Sequence, residues 1–212
     1  MNKSQIEIVA EAKKVATGIL KNSVPPIFIF HNIDHTTDVA RAAELIEGHY
    51  QLSDVDRFVV FIAAWFHDTG FSAGCAEGHE EESVRLAAEF LQQHNIDVEI
   101  INQVSSCIQA TRIPQAPMTM VEKIICDADL YHLGTSKFET WSARLRQELQ
   151  NSNNCTNTDN EWRQADLDLL ISHNYYTGFC QENLQRVKQE WIEALQKHQC
   201  TRTGNEFKSL VL

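Results

Sequence analysis

Residues 53–71 read SDVDRFVVFIAAWFHDTGF, in which a long apolar run passes directly into His67 and Asp68. Ser53 is a residue type that caps helix N-termini, and Gly70 is typical of the position after a helix. The stretch therefore predicts a buried helix that ends in two ionisable groups. Burying an imidazole and a carboxylate is costly unless they pair with each other or bind a metal ion.

Apolar residues recur at helical spacing along most of the chain, and no segment has the convincing alternation of a strand. The sequence thus predicts an all-α fold, a single-domain bundle of about eight or nine helices. The predicted helices, with boundaries uncertain by about 2 to 4 residues, run roughly over 3–21, 34–49, 53–68, 77–94, 97–110, 119–133, 136–150, 160–174 and 179–198.

Composition excludes several classes of function. The formal net charge of -11 disfavours bulk binding of nucleic acid or of anionic lipid, since both need a basic surface. The N-terminus lacks the apolar core of a signal peptide, and no run approaches a membrane span, so we expect a cytoplasmic protein without a membrane partner. Six cysteines are scattered without a C-x-x-C pair, which indicates reduced thiols.

Further ionisable residues lie on other predicted helices. His35 lies on the predicted helix that precedes the one ending in His67 and Asp68, which we call the HD pair. Asp129 lies in the later stretch VEKIICDADLYHLG. Together with His67 and Asp68 they form a mixed nitrogen and oxygen donor set suited to a first-row divalent ion or to magnesium. Asp127 competes with Asp129, because residues two apart on a helix point about 200° apart and only one faces the site easily.

The pattern His35, His67-Asp68 and Asp129 resembles the H…HD…D signature of HD-domain metal-dependent phosphohydrolases. The resemblance covers about residues 25–135 of a single HD-type domain spanning 1–212, with C-terminal helices at about 136–200 packed on that core. It implies that all four residues are metal ligands, and the family's Ala-Asp-Leu pattern selects Asp129. It also implies a divalent metal cofactor, for which the donor set allows Mn²⁺, Mg²⁺, Co²⁺, Ni²⁺, Zn²⁺ or Fe²⁺.

The same resemblance implies hydrolysis of a phosphoester or phosphoanhydride bond by a metal-activated water, in a small substrate for which a nucleotide is the favoured candidate. The stretch FHNIDHTTDV is similar to the Y-H-N-x-x-H-x-x-D-V motif of class I cyclic-nucleotide phosphodiesterases. That similarity assigns His31 as the acid that protonates the leaving group, against the alternative of a histidine packed at a helix start. Phe30 replaces the tyrosine, so cyclic-nucleotide phosphodiesterase activity is an alternative.

Other candidates surround this core. His79 opens a helix just after the HD pair and is a candidate contact to substrate or water, and Glu80 is a candidate base that orients the water. Arg112 and, more weakly, Lys123 are candidates for binding the substrate phosphate. Each has a plainer alternative as a solvated residue or a charge that complements a helix dipole.

Two other classes of function remain as alternatives. A di-iron oxygenase of the same fold needs more histidines than the chain offers between Cys107 and Asp129. A non-catalytic nucleotide-binding module is disfavoured by the complete ligand pattern. The sequence leaves a homodimer open, since exposed helix faces and interfaces look alike at this level.

Overall fold

Nine α-helices and two short 3₁₀ helices make up the described part of the chain, which contains no β-strand. The computed structural model of the protein describes residues 1–152 and 157–206, with side chains described as far as residue 197. The helices are α1 (Lys3–Asn22), α2 (Ile33–Glu47), α3 (Asp54–Phe66), α4 (His79–Gln93), α5 (Val98–Ala110), α6 (Met120–Asp129), α7 (Phe138–Asn151), α8 (Asp159–Ser172) and α9 (Gly178–Glu206), with 3₁₀ helices at Thr69–Ala73 and Tyr131–Gly134.

The all-α prediction is confirmed, and the predicted helix ends agree within the stated margin except at α9, which continues to Glu206 instead of ending near residue 198. The helix predicted to reach residue 68 ends at Phe66, and the one predicted to reach 133 ends at Asp129. In both places the chain tightens into a 3₁₀ helix. Apolar residues keep nearly helical spacing through such a turn, so the pattern alone does not mark the change.

Helix α3 forms the centre of the bundle. Its residues from Phe58 to Phe66 are buried with the exception of Phe61, which is half-buried. A helix that is apolar around its whole circumference must be enclosed by others, and α1, α2, α5 and α6 pack against it. Ser53 begins it with a capping box, in which Ser53 Oγ accepts from the Asp56 amide and the Asp56 carboxylate accepts from the Ser53 amide.

Gly70 sets how the chain leaves α3. Its amide donates to Ser83 Oγ at 2.8 Å, and a Cβ atom at this position would lie 1.9 Å from the carbonyl oxygen of His79. Only glycine permits this approach of the 3₁₀ helix to the start of α4. The contact brings His79 beside the HD pair.

The C-terminal helices pack on the turn that follows α6. A second apolar cluster joins this turn to α7, α8 and α9 and consists of Leu130, Leu133, Phe138, Leu167, Leu170 and Ile192. The domain limits predicted at about 135 and 136 stay a prediction. No described helix combines the length and the apolar character needed to span a membrane.

The described cysteines fit the prediction of reduced thiols. Those with free side chains are Cys75, Cys107, Cys126 and Cys180. Cys155 lies outside the described residues, and the side chain of Cys200 lies outside the described side chains.

Candidate metal centre

Three helices end or begin at one buried cluster of donors. His35 lies in the first turns of α2, His67 follows the last residue of α3, and Asp129 is the last residue of α6. One ligand atom from each lies within 4.8 Å of the others. His35 Nε2 is 3.1 Å from Asp129 Oδ1, and His67 Nε2 is 3.8 Å from the same oxygen. The cluster thus offers two imidazole nitrogens and a carboxylate around a common point.

Asp68 adds a second carboxylate to this point. Its Oδ2 lies 3.2 Å from His67 Nε2 and 3.5 Å from His35 Nε2. The four side chains predicted as ligands therefore lie together, and their roles as ligands stay a prediction.

The electrostatics of the cluster follow from burial of mixed charges. Burial disfavours the protonated form of His67, but Asp68 and Asp129 outweigh it and raise the pKa of His67 to about 9. Burial also disfavours ionisation of Asp68, yet His67 holds the pKa of that carboxyl well below its ordinary value. Burial also disfavours ionisation of Asp129, but its hydrogen bond with His35 outweighs burial and lowers the pKa of that carboxyl. The carboxylates are thus ionised and attract a cation.

Two orphaned atoms show that the residues fit a divalent ion. His67 Nε2 and Asp68 Oδ2 are buried and lie 3.2 Å apart, but neither makes a well-aligned hydrogen bond within the described part of the chain. Such atoms are costly to bury unless something else binds them. His67 Nδ1 donates to the carbonyl of Ala64 at 3.0 Å, which leaves Nε2 as the free ligand atom. Imidazole and carboxylate donors together suit Mn²⁺, Fe²⁺, Co²⁺, Ni²⁺, Zn²⁺ or Mg²⁺.

Asp127 and Asp129 point in different directions, as their separation on α6 requires. The Asp127 carboxylate accepts hydrogen bonds from the amides of Tyr176 and Thr177 at 2.9 and 2.8 Å, and from the Thr177 hydroxyl at 2.6 Å. Burial raises the pKa of Asp127, and these hydrogen bonds oppose that rise. Asp127 therefore anchors the segment before α9, while Asp129 faces the cluster.

His31 lies beside the cluster and is held by a residue that the sequence analysis missed. Glu148 of α7 accepts from His31 Nδ1 at 2.5 Å and from the backbone amides of Phe30 and His31 at 2.7 and 3.0 Å. The His31 ring stacks on Phe71 with a centroid distance of 4.1 Å. Burial alone would lower the pKa of His31, but the Glu148 hydrogen bond and nearby carboxylates raise it.

His79 lies at the edge of the cluster. Its Nε2 is 3.8 Å from Asp68 Oδ1, and its Nδ1 donates to the carbonyl of Ala76 at 2.8 Å. Glu80 is farther along α4, with Oε2 at 3.4 Å from His79 Nδ1. His79 is thus closer to the ligands than Glu80, and both catalytic assignments stay predictions.

The two predicted phosphate-binding cations lie in different surroundings. Arg112 Nη2 is 3.3 Å from Glu80 Oε2 and also pairs with the Glu81 carboxylate. Lys123 is half-buried in α6, six residues before Asp129. Six residues correspond to about 9 Å of rise and about 240° of rotation, which place Lys123 on another face of the helix.

Comparison with known proteins agrees with this fold and this cluster. The family model described as "HD domain" matches residues 32–134, the segment that contains His35, His67, Asp68 and Asp129. A crystal structure described as a "predicted HD superfamily hydrolase", from an uncultured Thermotogales bacterium, is similar with a TM-score of 0.60 at 19% identity. The alignment covers 95% of this chain and 99% of that one. No curated protein sequence matches.

The fold and the cluster therefore define a helical protein with a mixed histidine and aspartate centre. Residues 32–134 are similar to the HD domain, and the fold as a whole is similar to that of the HD superfamily structure.

Proposed function

We propose that the protein is a metal-dependent phosphohydrolase that acts on a small phosphorylated substrate such as a nucleotide. The observation that carries this proposal is the buried donor cluster with His31 fixed beside it by Glu148. Residues 32–134 match the HD domain, and proteins with this domain are generally metal-dependent hydrolases, which supports hydrolysis with a metal ion.

The ligands are His35, His67 and Asp129, whose donor atoms converge, together with Asp68, whose Oδ2 lies within 3.5 Å of both histidines. These residues would hold a divalent ion, which would supply a nucleophile at neutral pH by lowering the pKa of a coordinated water toward about 7. The hydrogen bond from His67 Nδ1 to the backbone carbonyl of Ala64 fixes the orientation of the imidazole ring, so Nε2 stays directed at the cluster. Burial of the histidines and of Asp68 excludes bulk water from the donors.

His31 supplies the proton for the leaving group. Glu148 accepts from Nδ1, which leaves Nε2 as the atom that can donate. The side chain is 21% exposed, so a substrate oxygen can reach it. A carboxylate partner keeps the imidazole protonated to higher pH, as an acid needs, and a positioned acid contributes about 10² to 10⁴ in rate. This suits an alkoxide leaving group, as in a phosphodiester or a nucleotide.

His79 and Glu80 are the remaining catalytic residues of the proposal. His79 lies 3.8 Å from Asp68 and contacts the substrate or the attacking water. Glu80 orients that water through its contact with His79. In this scheme Arg112 neutralises the substrate phosphate only after leaving Glu80 and Glu81, and Lys123, on another face of α6, has no part in it.

The test compares His67→Ala, His31→Ala and the control His94→Ala, which removes a histidine at the end of α4. Each purified protein is loaded with Mn²⁺, Mg²⁺, Co²⁺, Ni²⁺ or Zn²⁺. It is then assayed against nucleoside monophosphates, nucleoside triphosphates, cyclic nucleotides and a chromogenic phosphodiester, with metal content measured by elemental analysis.

We expect His67→Ala to lose both metal and hydrolysis, and His31→Ala to keep metal while hydrolysis falls by about 10² or more. Equal loss of metal in both variants would contradict the assigned roles. Turnover of cyclic nucleotides alone would favour the phosphodiesterase alternative. A metal-loaded wild type that hydrolyses none of these substrates would instead indicate a binding module.

A further inference from the structure

A cleft between α2, α7 and the turn after α6 leads away from the donor cluster. Its inner part is a cavity of about 310 Å³ that is bounded by His35 and Asp129. The remaining wall is largely aliphatic and aromatic and includes Val39, Ala42, Leu45, Tyr131 and Trp141. Cavities of this size and lining commonly bind the organic part of a small ligand. The cleft therefore offers an apolar surface next to two of the proposed ligands.

The outer part of the cleft has a different chemistry. A second cavity, of about 420 Å³, shares the lining residues Asp38, Arg41, Lys137 and Trp141 with the first, so the two are adjacent. Arg144 also lines it, and its guanidinium carbon lies 4.6 Å from the centre of the Trp141 ring. The cation–π contact holds this side chain over the mouth of the cleft.

The mouth carries an excess of positive charge. Among the described residues that line the outer cavity, the cations Arg41, Lys137 and Arg144 face the carboxylates Asp34 and Asp38. Lys137 Nζ is 2.7 Å from Asp38 Oδ2, and Arg144 Nη1 is 3.4 Å from Asp34 Oδ2. This local excess stands out in a chain with a formal net charge of -11.

An anionic ligand can displace the Asp38 carboxylate from Arg41 and Lys137. The side chains of Arg41 and Lys137 are 74% and 59% exposed, and pairs of that kind contribute at most about 1 kcal/mol each. Arg112 differs, because Glu80 and Glu81 both contact it and leave an excess of negative charge there. An anion is thus better accommodated at the cleft mouth than at Arg112.

We propose that Arg41 and Lys137 bind an anionic group of the substrate other than the phosphate that is cleaved. The organic part of the substrate lies in the inner cavity, between the donor cluster and Trp141. The substrate class is then an organic phosphate with a second anionic group, such as a nucleoside that carries two separate phosphates. This inference rests on the proposed function and adds the substrate feature that the site selects.

The test uses the double variant Arg41→Gln, Lys137→Gln, whose exposed side chains can be replaced without disturbing the core. Arg186→Gln is the matched control, since it removes an exposed arginine that pairs with Glu190 on α9. The substrates are adenosine 3′,5′-bisphosphate, with two phosphates, and p-nitrophenyl phosphate, with one. We measure kcat and KM for both, and the binding of the bisphosphate by calorimetry.

The double variant should raise KM for the bisphosphate about tenfold or more, with kcat within about twofold, because it loses charge-assisted contacts. KM for p-nitrophenyl phosphate should not change, and the control should match the wild type with both substrates. An unchanged KM for the bisphosphate in the double variant overturns the inference even if hydrolysis is robust.

Failure of the proposed function gives a different result. If the wild type hydrolyses neither substrate, the proposed function fails, and calorimetry still tests whether Arg41 and Lys137 bind an anion. Binding of the bisphosphate that is about tenfold weaker in the double variant supports their assignment. Equal binding by both proteins, or no binding by the wild type, overturns it.

Discussion

Replacing Glu148 by glutamine tests how the acid is held. The glutamine side chain has the same shape, so its amide oxygen can still accept from the backbone amides of Phe30 and His31. The amide nitrogen then faces His31 Nδ1 at the place where a carboxylate oxygen accepts in the wild type. The variant therefore keeps the packing and removes the negative charge.

The magnitude follows from these contacts. Glu148 is 3% exposed, so its hydrogen bonds are hardly screened by solvent. Charge-assisted hydrogen bonds contribute about 1.5 to 3 kcal/mol and neutral ones about 1 kcal/mol. Loss of the charge at two backbone contacts thus costs about 1 to 4 kcal/mol in the free energy of unfolding. Without the carboxylate the pKa of His31 falls, so less of the imidazole is protonated at neutral pH and above.

The assay is a pH profile of kcat combined with NMR titration of the His31 ring. We expect the alkaline limb of the profile to move to lower pH, with a loss of about 10² in kcat near pH 8 and unchanged metal content. Glu139→Gln, which removes an exposed carboxylate from the same helix, is the control. An unchanged His31 titration in Glu148→Gln would refute the reasoning, whatever the effect on stability.

Three further predictions concern the frame of the site. Asp127→Asn should lower the free energy of unfolding by about 2 to 3 kcal/mol with metal content kept, and Asp129→Asn should lose metal; elemental analysis showing metal loss in the first would contradict the division. Burial lowers the pKa of His173 to about 4, below its unfolded value of 6.5, so the unfolded state takes up a proton that the folded state refuses. Stability in urea should therefore fall from about pH 6.5 to pH 4, by up to about 1.4 kcal/mol per unit, and His173→Gln should flatten this slope; equal slopes would count against it. Gly70→Ala, whose Cβ would lie 1.9 Å from a carbonyl oxygen, should destabilise the folded protein by at least about 1 to 3 kcal/mol in thermal melts. Gly18→Ala, whose Cβ would meet nothing within 4 Å, should be neutral or stabilising.

Much of the centre could be predicted from the sequence because its residues lie at helix ends. Helix α3 is apolar around its whole circumference and is therefore enclosed, so His67, which directly follows it, lies in the interior. The same logic placed Asp129 on α6, although periodicity alone did not choose between it and Asp127. That choice depends on where the segment before α9 supplies amides, and this segment is 49 residues away in sequence.

Glu148 could not be predicted from local pattern. Glu148 lies 117 residues from His31, in a helix that reads FETWSARLRQELQN. The other charged residues of this helix are exposed or half-buried. A buried glutamate among exposed polar residues has no periodic signature, and its role depends on a loop that reaches it only in the folded chain. The pairing of Arg112 with Glu80 and Glu81 was hidden for the same reason.

The anchoring of Asp127 bears on how this protein can be divided or recombined. The segment that matches the HD family ends at residue 134, whereas the amides that satisfy the buried Asp127 carboxylate belong to Tyr176 and Thr177. A fragment cut at that limit would bury an ionised group without its donors or expose the core around it. Chimaeras between this protein and HD-domain proteins should therefore exchange α6 and the segment before α9 together.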